Sequence, residues 1–196
     1  MKTKIIDYSL QPKQAIDLSI EAFNNNLPII FQTDTVFGFL LPLSSTKAKN
    51  IVVQLKGRDA NKPFQILVSS KKQAFALGKF NGFALELAKK HWAGGLTIIV
   101  PSLLAKDEKV GLRFPKFPPI IKLIRAYKQP LFATSVNISG EKELNTVNEI
   151  EANFGGKVPL IVFSSNFELE KIASTVVEIL DKDYKILRQG GVRIEP

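Results

Sequence analysis

The chain has 196 residues, 45% of them hydrophobic, which is enough for one well-buried core. Its 27 Lys and Arg against 18 Asp and Glu give a formal charge of +9, favouring polyanionic partners such as nucleotides or RNA. With no cysteine, disulfides, thiolate metal sites and cysteine nucleophiles are excluded, and with His91 as the only histidine so is a histidine-rich metal cluster.

Residues 1–7 lack the apolar stretch of a secretion signal, and the longest apolar region, 27–43, is broken by Gln32, Thr33, Asp34 and Thr35. A soluble, cytoplasmic protein without a membrane span is expected. Pro12 opens a helix in which Ile16, Ile20 and Phe23 recur at helical spacing, ended by Asn24-Asn25-Asn26. Buried strands follow over 27–31 and 36–41. Thr46 is expected to cap a helix striped by Ala48, Ile51, Val52 and Leu55, so that Lys56 and Arg58 fall just past its end.

A strand over 64–68, helices over 70–77 and 83–91, and a β-branched strand over 97–100 come next, with Gly94-Gly95 marking the entry to that last strand. Residues 110–114 read as extended. Pro118-Pro119 opens a helix bearing Ile120, Ile121, Ile124 and Tyr127, and a strand returns over 131–134. Thr146 and Glu149 fit a capping box, before strands over 160–163 and 175–180 and an extended piece at 185–187. Strands and helices alternate without a fixed-period repeat, which predicts one α/β domain over 1–196, a mixed sheet with helices packed against it.

Four polar segments end apolar runs: Thr33-Asp34-Thr35-Val36-Phe37-Gly38, Lys56-Gly57-Arg58, Ser135-Val136-Asn137-Ile138-Ser139-Gly140 and Arg188-Gln189-Gly190. Strand ends are where an α/β protein gathers ligand-facing groups. No glycine-rich phosphate loop is present, so side chains must hold any phosphate. Lys56, Arg58 and Lys62 are close in sequence, and Arg113 and Arg188 end apolar segments. Each close cation pair costs on the order of a few kcal/mol at an effective dielectric near 20, so convergence would imply a polyanionic ligand. By spacing alone the same cations also suit a solvated helix end. In an extended conformation Ser135, Asn137 and Ser139 face one way, which suits a carboxylate or phosphate and equally a polar turn. Thr33-Asp34-Thr35 either meets substrate or bonds its own backbone. His91, beside Trp92, reads as a helix-end histidine rather than a catalytic one.

Taken in order, Thr33 to Gly38, Lys56 with Arg58, Trp92 with Gly94 and Thr97, Val110 with Arg113, Thr134 to Gly140, Ser174-Thr175-Val176, and Arg188 with Gly190 resemble the motifs of the YrdC-like family, the threonylcarbamoyl-AMP synthases. The likeness spans nearly the whole chain. It implies a single-domain twisted mixed sheet with flanking helices around a large open cavity. It also implies a reaction joining L-threonine, bicarbonate and ATP into L-threonylcarbamoyladenylate with release of pyrophosphate, which partner proteins use to modify tRNA. Carried over, Thr35, Arg113, Ser135 and Ser174 would hold threonine, and Arg58, Lys62, Asn137, Arg188 and, more weakly, Thr146 would hold ATP. Lys56 and Arg58 would be the catalytic residues, Lys56 and Thr33 would line the wall, and Mg2+ would ride on the phosphates with no protein metal site. Ala93 and Gly95 replace usual prolines, Asp59 follows Arg58 where proline is common, and Leu67 and Phe117 stand where some relatives carry histidine.

Two other readings compete. A basic RNA-binding module without chemistry fits the charge, although no aromatic residues interleave the basic segments. A carbamoyl-transfer domain like that of hydrogenase-maturation proteins shares the resemblance, normally within a much longer chain.

Overall fold

A computed structural model describes residues 2–60, 62–181 and 183–194. Among the described residues, ten strands form one mixed sheet in the order β1-β8-β2-β3-β7-β4-β6-β5-β9-β10. They are β1 (Lys4–Asp7), β2 (Ile29–Phe31), β3 (Gly38–Pro42), β4 (Gln65–Leu67), β5 (Leu96–Pro101), β6 (Lys109–Arg113), β7 (Leu131–Ser135), β8 (Leu160–Phe163), β9 (Thr175–Ile179) and β10 (Tyr184–Arg188). The helices are α1 (Pro12–Asn24), α2 (Thr46–Lys56), α3 (Lys71–Phe75), α4 (Gly82–His91), α5 (Pro118–Tyr127) and α6 (Val147–Phe154).

Helix boundaries follow local chemistry. Pro12 and Pro118 sit in the first turns of α1 and α5, where a missing N–H is harmless. The cap of α2 is Ser45 rather than Thr46: its hydroxyl accepts from the Ala48 N–H, which makes Thr46 the first helical residue. Gly57 closes α2 in a left-handed conformation (φ 57°), favoured by its lack of a Cβ. The capping box of α6 forms between Thr146 and Glu149.

Alternation along the strands divides the core. Ile29, Phe31, Leu40, Leu67, Leu131 and Ala133 face α1 and α5, while Ile30, Phe39, Leu41 and Ile161 face α2 and α6. Farther along the sheet, Ile66, Ile98, Leu112 and Val177 pack with Ala84, Leu87 and Ala88 of α4. The alternate residues, Gln65, Ile99, Gly111 and Val176, therefore look out from the opposite face, beyond the cover of α1 and α5. They line an open cavity of about 260 Å³.

Candidate functional site

Three loop segments and six strands meet at this cavity, β4 through Gln65 and β9 through Val176 among them. Thr35 and Val36 enter from the loop between β2 and β3, Pro63 and Phe64 from the segment before β4, and Ala173 and Ser174 from the turn into β9. β5 contributes Thr97 and Ile99, β6 contributes Lys109, Gly111 and Arg113, β7 contributes Ala133, Thr134 and Ser135, and β10 contributes Arg188. Of the residues expected at a site, Thr35, Arg113, Ser135, Ser174 and Arg188 thus share one wall although they span most of the chain.

Arg113 is buried, and its Nη2 donates to Asp34 Oδ1 at 2.5 Å while its Nε donates to the Gly94 carbonyl at 3.2 Å. Asp34 Oδ2 accepts the Lys116 N–H at 2.8 Å. Both carboxylate oxygens are used, and among the described residues Arg113 Nη1 has no hydrogen-bond partner. Thr33 takes the backbone-bonding alternative, donating to the Val36 carbonyl at 2.6 Å and accepting from the Thr35 N–H at 3.1 Å.

Lys56 is buried, and its ammonium donates to the Ser135 carbonyl (2.6 Å), the Asn137 carbonyl (3.0 Å) and Asn137 Oδ1 (2.7 Å). All three N–H groups are spent inside the protein. Lys56 therefore positions the turn after β7 in this structure rather than presenting a free charge. Burial, reinforced by the Arg58 guanidinium and opposed by Glu143, lowers its pKa from 10.5 to about 8. Asn137 is equally committed: Oδ1 also accepts from Ser135 Oγ at 2.8 Å, and Nδ2 donates to the Glu141 carbonyl at 2.8 Å. β7 ends at Ser135, so the extended run to Ser139 does not form; the Ser139 N–H instead bonds the Lys56 carbonyl at 2.8 Å.

Arg58 lies over the Phe64 ring with its guanidinium carbon 4.7 Å from the centroid, and donates to Thr134 Oγ1 (3.2 Å) and to the carbonyls of Lys62 (2.7 Å) and Pro63 (3.3 Å). Among the described residues its Nε, which is buried, has no hydrogen-bond partner. An unsatisfied buried donor costs about 1 to 3 kcal/mol. Burial lowers the pKa of Arg58, and it lowers that of Arg188 with a further push from Arg113, while Glu143 opposes the shift at Arg188.

Arg188 donates through Nε to the Ser174 carbonyl (3.0 Å) and through Nη2 to Ser174 Oγ (3.1 Å). Ser174 Oγ is 2.9 Å from Thr97 Oγ1, which donates to Gln65 Oε1 at 2.7 Å. The motif residues Ser174 and Arg188 thus connect through Thr97 to Gln65, which no motif flags. Lys62 is exposed. Thr146 is exposed as well, outside the cavity wall, with its hydroxyl bonded to Glu149 Oε2 at 2.7 Å. His91 ends α4, also outside the cavity wall, with its pKa lowered by burial and by Lys90.

The Sua5/YciO/YrdC family model, described as telomere recombination, matches residues 21–190. The chain belongs to the Sua5/YciO/YrdC family. A Methanocaldococcus jannaschii protein provisionally named threonylcarbamoyl-AMP synthase is 31% identical over 205 residues, covering 100% of this chain and 97% of its own length. The threonylcarbamoyl-AMP synthase of Pyrococcus abyssi is 29% identical over 175 residues, covering 85% of this chain and 51% of its own. The chain thus spans about half of one relative and nearly all of the other. Among solved structures, Pyrococcus abyssi Sua5 complexed with L-threonine superposes with a TM-score of 0.85 at 26% identity, covering 96% of this chain and 58% of that one.

Three of the departures noted in the sequence, Leu67, Phe117 and Gly95, have a structural outcome. Leu67 and Phe117 are both fully buried in the cluster beneath α1 and α5, so neither reaches the cavity. At Gly95 an added Cβ would come within 3.2 Å of Thr35 Cγ2, so the glycine leaves room for the Thr35 side chain.

Proposed function

We infer that this chain is a threonylcarbamoyl-AMP synthase, forming L-threonylcarbamoyladenylate from L-threonine, bicarbonate and ATP with release of pyrophosphate, the first step of a tRNA modification. The observation that carries this reading is the convergence of Thr35, Arg113, Ser135, Ser174 and Arg188 on one cavity, in a chain whose named relatives are synthases. The cytoplasm and the tRNA-modifying proteins that consume the adenylate belong to the same proposal. Among the described residues no helix is long and apolar enough to cross a membrane.

The donors sort by charge. Arg113 Nη1 suits the threonine carboxylate. Ser135 already donates its proton to Asn137, so its free lone pair suits the threonine amine. The Arg58 guanidinium, which contacts the cavity residues Phe64 and Thr134, suits a phosphate oxygen, as does Arg188 of the cavity wall. A cavity of about 260 Å³ is smaller than most ligand sites, so part of the nucleotide would lie outside it, toward Arg58, which contacts the cavity residues Phe64 and Thr134. The wall carries guanidinium groups rather than carboxylates, and among the described residues no cluster of three His, Asp or Glu could hold a metal. Magnesium would therefore enter with the ATP phosphates as part of the substrate.

No activated protein nucleophile is required. The threonine amine adds to carbon dioxide derived from bicarbonate and loses a proton, and a carbamate oxygen attacks the α-phosphorus as pyrophosphate departs. The protein's contribution is alignment and stabilisation of phosphate charge. The test is pyrophosphate release by purified protein, which should require threonine, bicarbonate and ATP together. Release that is indifferent to threonine would refute the reading.

A further inference from the structure

We propose that Gln65 reads the side-chain hydroxyl of the amino-acid substrate, making it a specificity-determining residue of the site. This rests on the synthase reading above. Gln65 sits on β4 at the register of Gly111 on β6, and β5 lies beyond. Its side chain crosses the glycine to reach Thr97, its Oε1 accepting the Thr97 hydroxyl at 2.7 Å. A Cβ at Gly111 would stand 3.4 Å from Thr97 Cγ2 and 3.5 Å from Ile99 Cγ1, crowding that floor.

The chain of bonds has a direction. Arg188 Nη2 donates to Ser174 Oγ, Ser174 is paired with Thr97, and Thr97 donates to Gln65. With Oε1 occupied, the Gln65 amide NH2 has no protein partner among the described residues and belongs to a cavity-lining side chain. It is a neutral amide donor, placed among the aliphatic side chains of the wall and away from the Thr35 and Thr134 hydroxyls on neighbouring segments, in a cavity whose charged donors are Lys109, Arg113 and Arg188. Those cations suit the carboxylate and the phosphates, which leaves the neutral amide for an uncharged acceptor. Beside it lie Ile99, Val176 and Ala133, which suit a methyl group. A neutral donor flanked by aliphatic side chains matches the hydroxyethyl group of threonine. A site built to bond a hydroxyl rejects an isostere lacking it, because the buried polar group is then left unpaired.

The experiment compares L-threonine with L-valine, its isostere without the hydroxyl, as inhibitor or substrate in ATP-dependent pyrophosphate release. Wild-type protein, Gln65→Met and Thr97→Val are assayed, with thermal unfolding confirming that each is folded. The threonine-over-valine affinity ratio should exceed about tenfold in wild type and fall by about tenfold in Gln65→Met, with the KM for ATP unchanged. Thr97→Val, which frees the amide to swing, should lower the ratio less. An unchanged ratio in a folded Gln65→Met, or a rise in the ATP KM alone, overturns the assignment to threonine while leaving the synthase reading intact. If Gln65→Met does not fold, equal wild-type affinity for threonine and valine overturns the assignment by itself. Wild-type protein with no threonine-dependent release refutes both proposals.

Discussion

Asp34 and Arg113, 79 residues apart, form a buried ion pair at 2.5 Å that joins the loop after β2 to the end of β6. The same carboxylate accepts the Lys116 N–H, so one side chain locks the approach to the cavity from two directions. Removing one partner of such a pair leaves an uncompensated buried charge. Asp34→Ala is expected to destabilise the fold by about 3 to 5 kcal/mol and to weaken threonine binding, since Arg113 would lose its orientation. Urea unfolding measures the first effect and calorimetry the second; a stability loss below about 1 kcal/mol would show that water compensates the guanidinium.

Lys56 predicts opposite pH trends for stability and activity. Its folded pKa of about 8 lies below its ordinary 10.5, so between these values the unfolded chain binds a proton that the native chain has released. Its contribution to native stability therefore rises with pH across that window. Activity should fall over the same range, because a neutral amine keeps two donors for three acceptors and the Ser135 to Asn137 turn loosens. Melting temperature and pyrophosphate release, each measured from pH 7 to pH 10 against Lys56→Met, give the comparison. Parallel trends in the two proteins would remove Lys56 as the cause.

Arg58→Ala should weaken ATP binding by roughly tenfold to a hundredfold, the loss of one charge-assisted phosphate contact, while leaving threonine affinity nearly unchanged. Arg58→Lys should not restore it, since an ammonium cannot stack on Phe64 while also reaching Thr134 and the Lys62 carbonyl. Calorimetry of the two ligands separately reads both expectations. Full rescue by lysine would mean that only net charge matters.

Apolar periodicity made most elements legible, and chain order made the motif residues legible, but partners across the sheet were not. β1 is missing from the expected elements because Lys4, Ile5, Ile6 and Asp7 include only one buried residue; the segment is a strand through its parallel pairing with β8, more than 150 residues on. Ser44, Ser45 and Thr46 are three adjacent hydroxyls, any of which could cap α2, and sequence alone does not rank them. Lys56 reads as a free cation beside Arg58, and only the return of β7 reveals three acceptors around it. Gln65 hides inside an apolar strand. Its polarity between Phe64 and Ile66 was the available signal, since a lone amide in a strand marks whichever face is not packed.

Gly190 shows why a glycine belongs two residues after Arg188. A Cβ there would lie 2.1 Å from the Ala173 carbonyl oxygen and 2.5 Å from both Ser174 C and Thr175 N, all backbone atoms that no rotamer change can clear. The close approach is held by the Gly190 N–H donating to Thr175 Oγ1 at 2.9 Å and by the Gly191 N–H reaching the Ala173 carbonyl at 3.2 Å. Gly190→Ala must therefore push the chain after β10 away from the turn that carries Ser174, drawing Arg188 off both of its Ser174 contacts. The expected outcome is a loss of about 1 to 3 kcal/mol of stability with a larger relative loss of pyrophosphate release, because the displaced bonds are those that fix two cavity residues. Gln189→Ala is the control: it changes the same turn without adding volume against the backbone, and it should leave release near the wild-type rate. Equal losses in the two variants would mean that the turn matters through its flexibility, and not through the packing of Gly190 on residues 173–175.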